Sequence, residues 1–215
     1  MSTFVFIHGA GSSAWDWHLV APHLRERGHD VLAADLPCDD PSAGLNEYAD
    51  AVLAAIGGRS DIVVVAHSLG GFTAPLVCAR VEAKELVLVA GMIPAPGESA
   101  SDWWERSGHR DVYDGPDGSD LHELFFHDVP AELETAAMAH SRDEASRAFS
   151  EPWPLDAWPH VPTRYVLFRD DRLFPAAFAR RHARERLGVV AEEIPGGHCA
   201  YLSQPAELAE RLLAA

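Results

Sequence analysis

Short apolar runs recur along the chain at residues 4–7, 31–34, 62–65, 86–89, 165–168 and 189–194. Most are apolar throughout, without the polar alternation of a half-exposed strand, as expected of strands covered on both faces. Segments 17–27, 45–56, 69–80, 175–187 and 205–213 carry apolar residues at helical spacing and predict helices. Strand and helix thus alternate, which predicts a parallel α/β sheet with helices on both faces and right-handed crossovers. Such sheets bind ligands beyond the carboxyl ends of their strands, so the loops that follow each strand are the places to search for chemistry.

One stretch breaks the rhythm. Between Gly91 and Pro162 no strand pattern stands out; the segment holds Pro94-Ala95-Pro96-Gly97, the Trp103-Trp104 pair, the Asp114-Gly115-Pro116-Asp117-Gly118 turn and two or three helical pieces. An insertion of this length after a strand's carboxyl end is expected to sit over the site. We read residues 1–215 as one domain, with a helical lid at about 92–162.

Bulk composition narrows the function classes. A 215-residue chain, 47% hydrophobic and 23% charged, is ordinary for a soluble globular domain. No apolar stretch approaches the ~20 residues of a membrane span. The start at Met1-Ser2-Thr3 lacks the basic, apolar and cleavage regions of a secretory signal, so a cytoplasmic location is expected. A formal charge of −16 and the lack of a basic stripe argue against nucleic acid as a partner. Cys38, Cys78 and Cys199 are odd in number and far apart, so free thiols are expected. The twelve histidines include no zinc-binding spacing, and neither metal nor organic cofactor is expected.

Candidate chemistry begins at Ala66-His67-Ser68-Leu69-Gly70-Gly71, between an apolar run and a helical pattern. A serine at the apex of such a cramped turn is held in a strained conformation, with small residues at 66 and 70 leaving room for it. A serine hydroxyl is a weak nucleophile, so it needs a base in hydrogen-bond reach and a carboxylate to orient that base. His198, in the loop Gly196-Gly197-His198 after the sixth strand, is the expected base, and Asp170 or Asp171, after the fifth, the expected acid. Attack on a carbonyl also needs N–H donors for the developing oxyanion. The N–H of Leu69 and that of Ala10, in the glycine-rich turn His8-Gly9-Ala10-Gly11, are the candidates. That turn also fits G-x-G-x-x-A, with Asp35 ending the second strand, and so imitates a dinucleotide fingerprint. A nucleotide-binding oxidoreductase would leave the serine turn and the His198 loop unexplained. His8 is expected to organise its turn through ring hydrogen bonds.

The order serine, aspartate, histidine is that of the α/β-hydrolases, and the chain resembles the small esterases of that superfamily related to plant methylesterases and hydroxynitrile lyases. The residues that carry the resemblance are His8-Gly9-Ala10, Ala14-Trp15 with Trp17, Gly28-His29, Ala34-Asp35-Leu36, His67-Ser68-Leu69-Gly70-Gly71, Gly197-His198 and Leu202-Ser203-Gln204-Pro205. The resemblance implies Asp171, four residues before Pro175, as the acid, and a six-stranded sheet of order 2-1-3-4-5-6 with the lid after strand four. It implies a serine hydrolase acting on a small neutral carboxylic ester, with no cofactor. Cys199 and Gly11 stand where the lyases of the group carry lysine and threonine, which argues against cyanohydrin cleavage. Serine at position 68 argues against dehalogenases and epoxide hydrolases. Trp103, Trp104, Phe125 and Phe126 are the candidates to line the substrate pocket. The alternative reading is a small-molecule receptor on the same fold.

Overall fold

The computed structural model describes residues 1–111, 113, 115 and 120–214. Six strands form one sheet in the order β2-β1-β3-β4-β5-β6, with every neighbouring pair parallel. They are β1 (Thr3–Ile7), β2 (Asp30–Ala34), β3 (Ile62–His67), β4 (Ala83–Val89), β5 (Thr163–Phe168) and β6 (Glu192–Ile194). All residues of β1 and β3 are buried, which is why their sequences are apolar without alternation. The helices are α1 (Val20–Glu26), α2 (Leu45–Ile56), α3 (Gly70–Cys78), α4 (Ala100–Arg106), α5 (Ala131–His140), α6 (Ser146–Ser150), α7 (Ala176–Leu187), α8 (Ala200–Ser203) and α9 (Pro205–Leu213). Among the described residues, no helix is long and apolar enough to cross a membrane.

Of the boundaries that differ from the sequence pattern, two have local reasons. The helix expected over 17–27 is a 3-10 turn at Ala14–Trp17 followed by α1. Pro22 lacks an N–H and its ring crowds the carbonyl four residues back, so a continuous α-helix through that point is disfavoured. The strand expected over 189–194 shrinks to Glu192–Ile194. Gly188 is left-handed (φ 70°) and the Val189 N–H turns back to the Ala183 carbonyl, so the chain just past α7 completes that helix's cap.

Among the described residues, the segment between β4 and β5 contains no strand; it holds α4, a turn of π-helix at His122–Phe126, α5 and α6. Of the expected turn at 114–118, only Gly115 is described; Asp114, Pro116, Asp117 and Gly118 lie outside the described residues. This segment packs close to α3. A Cβ built on Gly71 would overlap the Met92 carbonyl oxygen, so the helix and the chain leaving β4 meet backbone to backbone. Gly71→Ala is therefore expected to destabilise the fold by about 3 kcal/mol through overpacking, read as a lower midpoint in urea unfolding.

Candidate active site

The serine turn is assembled by β3 and α3. Ser68 lies between them with φ 50°, a left-handed conformation for a residue with a Cβ, which costs about 1–2 kcal/mol. Its backbone is held on the sheet side: its N–H meets the Val89 carbonyl at 3.4 Å, and its carbonyl accepts from Met92 at 2.9 Å and Gly71 at 3.0 Å. The space that Gly70 leaves is used by β1: a Cβ at Gly70 would lie 2.8 Å from the His8 carbonyl oxygen. The same approach brings the glycine turn to the serine, since a Cβ at Gly9 would lie 3.0 Å from Ser68 Cβ. Neither the Ala10 N–H nor the Leu69 N–H meets an acceptor among the described residues.

Asp171 and His198 meet although 27 residues separate them. Asp171 Oδ2 accepts from His198 Nδ1 at 2.8 Å, and both side chains are 1% exposed. The other oxygen, Oδ1, accepts the N–H groups of Leu173 and Phe174, each at 2.8 Å. The carboxylate is thereby fixed in orientation, and with Nδ1 donating, the imidazole presents Nε2 as an acceptor. Nε2 is buried and has no hydrogen-bond partner among the described residues, Ser68 included. Phe174 and Phe125 stand edge-on to the ring at 5.1 and 5.5 Å. Asp170 points elsewhere: it pairs with Arg169 and accepts the Gly196 N–H at 3.2 Å. His67 Nε2 lies 2.9 Å from the His198 carbonyl, its N–H donating. Burial holds the His67 pKa well below its ordinary value, so this ring is neutral.

The glycine turn is held by groups on both sides. His8 accepts the Leu36 N–H on Nε2 (3.1 Å) and donates from Nδ1 to the Gly9 carbonyl (2.8 Å), the organising role expected of it. Asp35 receives the Ala14 N–H at 2.7 Å. From the segment between β4 and β5, Glu144 accepts the Gly11 N–H at 3.0 Å and the Arg142 N–H reaches the Gly11 carbonyl at 2.9 Å. The same segment reaches the His198 loop, where Asp128 accepts the Gly197 N–H at 2.9 Å and the Ser203 hydroxyl at 2.6 Å. Glu144 and Asp128 carry no signal in the sequence. Their partners are backbone groups distant in sequence, and no spacing rule marks them among 33 acidic residues.

A cavity of about 430 Å³ opens between these turns and the overlying segment, lined by Ser68 and His198 and by Ala10 and Leu69. Trp104, Phe125 and Phe126 also line it, with Met138, Phe149 and Leu173. Trp103 does not. It is fully buried, donates its ring N–H to the Ile93 carbonyl at 3.2 Å, and packs among Phe174, Phe178 and His182. Neighbouring helical residues point about 100° apart, and in α4 that separation turns Trp103 into the core and Trp104 to the cavity.

Asp16, on the Ala14–Trp17 turn, is a further lining residue that the sequence analysis did not single out. Burial raises its pKa from 3.8 to about 6. A raised acid pKa means that the folded state binds the proton more tightly, so the cost of burying the ionised form is complete above about pH 6 and vanishes below about pH 4. Relative to the parent, Asp16→Asn should therefore gain about 3 kcal/mol of stability between pH 4 and pH 7.5. Urea titrations of the two proteins across that range provide the measurement.

Residues 4–211 match the alpha/beta hydrolase family. A probable esterase of rice, PIR7A (Oryza sativa subsp. indica), is 38% identical over 108 residues, 44% of this chain and 41% of that protein. That match thus spans less than half the length of the rice relative. Polyneuridine aldehyde esterase of Rauvolfia serpentina is 25% identical across 98% of this chain and 94% of its own. An extracellular alpha/beta-hydrolase from a Paenibacillus species shares the fold with a TM-score of 0.83 at 22% identity, covering 100% of this chain and 99% of its own. The chain thus resembles plant esterases along its length, and with the family's pattern running from β1 into α9 it belongs to the alpha/beta hydrolase family.

Proposed function

We propose that the protein is a carboxylesterase-type serine hydrolase that cleaves a small neutral ester through Ser68, His198 and Asp171. The observation that carries this reading is the buried 2.8 Å contact of Asp171 with His198 Nδ1, on a wall of the cavity that also holds the strained Ser68. As Ser68 Oγ bonds to the carbonyl carbon, its proton passes to His198 Nε2. The contact between those two atoms tightens when substrate binds. The bond from carbonyl carbon to alkoxy oxygen then breaks, and the alcohol leaves with that proton. Water, deprotonated by the same imidazole, opens the acyl-enzyme to give the acid and restore Ser68. Asp171 keeps Nδ1 protonated and stabilises the imidazolium. The free N–H groups of Ala10 and Leu69 receive the oxyanion.

An apolar wall of Trp104, Phe125, Phe126 and Met138 supports an ester with a largely hydrocarbon frame. The esterase names of the rice and Rauvolfia relatives support the reaction class. Residues 92–162 act as the lid, since they supply that wall and grip both turns through Glu144 and Asp128. The test is covalent labelling with a fluorophosphonate probe together with burst kinetics on p-nitrophenyl acetate. The parent is expected to label and to show an acylation burst, and Ser68→Ala to do neither. A parent that neither labels nor turns over would overturn the reading.

A further inference from the structure

We propose that Asp16 is the specificity-determining acceptor of the cavity, taking a hydrogen bond from a hydroxyl or ammonium group carried by the substrate. The inference rests on the esterase reading above and narrows its substrate class. Asp16 is 4% exposed, lines the same cavity as Ser68 and His198, and has one oxygen, Oδ2, without a hydrogen-bond partner among the described residues. The hydroxyls of Ser12 and Tyr201 lie near the carboxylate and partly offset the rise that burial gives its pKa, while the Tyr201 proton itself is donated to Cys199 Sγ at 3.3 Å. Tyr201 also locates it in the site: its ring lies 5.0 Å from that of His67, which lies 4.6 Å from that of His198.

The fold itself does not explain the free oxygen. An acid kept to cap the Ala14–Trp17 turn would be spent on its N–H groups, but Asp35 performs that task for Ala14. Among the described residues no lysine or arginine lines the cavity to act as counter-ion, and most of the remaining wall is apolar. A buried polar group left unsatisfied by its own protein, in a pocket beside reactive groups, marks a place where ligand completes the hydrogen bonding. A site built around such an acceptor rejects analogues that lack the donor, because the acceptor is then desolvated with nothing in return. The expected substrate is an ester with a compact, largely apolar frame that carries one hydroxyl or amine. Anionic esters are disfavoured both by Asp16 and by the −16 charge of the chain.

Calorimetric binding to Ser68→Ala, which keeps the ester intact, tests this directly. The probes are methyl phenylacetates bearing an ethyl, hydroxymethyl or aminomethyl group at the meta or para ring position. These substituents match in heavy-atom count and differ in the donor, and the last two separate a neutral from a charged donor. Ser68→Ala is expected to bind at least one hydroxymethyl or aminomethyl ester tenfold or more tightly than its ethyl counterpart. Adding Asp16→Leu should bring that ratio to one or below. Asp16→Asn, of nearly unchanged size, should lose any preference for the ammonium and covers the case in which the leucine variant fails to fold. Equal or tighter binding of the ethyl esters, a donor preference that survives both substitutions, or failure of every ester to bind would overturn the proposal. The ratio is read without turnover, so it stands or falls separately from the labelling that tests the esterase reading.

Discussion

Ser68→Ala is expected to lower kcat on an activated ester by roughly 10⁶-fold, the scale seen when a serine hydrolase loses its nucleophile. The substitution keeps the Cβ, so the backbone contacts that hold residue 68 to Val89, Met92 and Gly71 are retained. Stability should change by less than about 1 kcal/mol, which separates loss of chemistry from loss of fold. The residual rate reports what the N–H groups of Ala10 and Leu69 and the cavity achieve unaided. Steady-state hydrolysis of p-nitrophenyl acetate, with a urea melt of the same preparation, gives both numbers. Turnover within tenfold of the parent would exclude Ser68 as nucleophile.

Asp171→Asn is expected to cost about 10⁴-fold in kcat, and the local hydrogen bonds supply the reason. The N–H groups of Leu173 and Phe174 both point at Oδ1 and would hold the asparagine carbonyl oxygen in that place. Its NH₂ group is then turned toward His198 Nδ1, which must become an acceptor, and the ring proton moves to Nε2. An imidazole protonated on Nε2 cannot take the serine proton. The side chain's size and its two backbone contacts survive, so the fold should not suffer. Fluorophosphonate labelling should slow in parallel with kcat, whereas a variant that labels at the parent rate would show that the carboxylate does not set the tautomer. The same substitution at Asp170, which faces Arg169 and Gly196, should leave kcat within about threefold.

How much of this could be read from residues alone differs by element. β1, β3 and the last four residues of β4 and of β5 were legible because they are buried on both faces, which leaves an unbroken apolar run; the polar starts of β4 (Ala83-Lys84-Glu85) and β5 (Thr163-Arg164) are partly exposed and were not. β6, at the sheet edge, was overdrawn: Val189 and Val190 are good strand residues, but the first belongs to a helix cap and the second is 81% exposed with no partner strand. The Ser68 turn was legible because its strain demands small neighbours over a few consecutive positions. Asp16, Glu144 and Asp128 were not, because a carboxylate's task depends on which distant N–H or cavity it faces. Trp103 and Trp104 were indistinguishable as letters and differ only in which side of α4 they occupy.

The sequence by itself determined the alternation of strand and helix, the parallel sheet that follows from it, and the three loops in which reactive side chains could stand. Periodicity and turn chemistry are local, and local rules read them. The pattern of the residues left Asp170 and Asp171 open, and only resemblance preferred the second; the tertiary structure places Asp171 against His198, turns Trp104 and not Trp103 to the cavity, and buries Asp16 with an oxygen to spare. Those outcomes depend on the direction of single side chains across contacts of 2.8 Å between residues far apart in the chain. Packing sets that direction, and no pattern along one dimension records it.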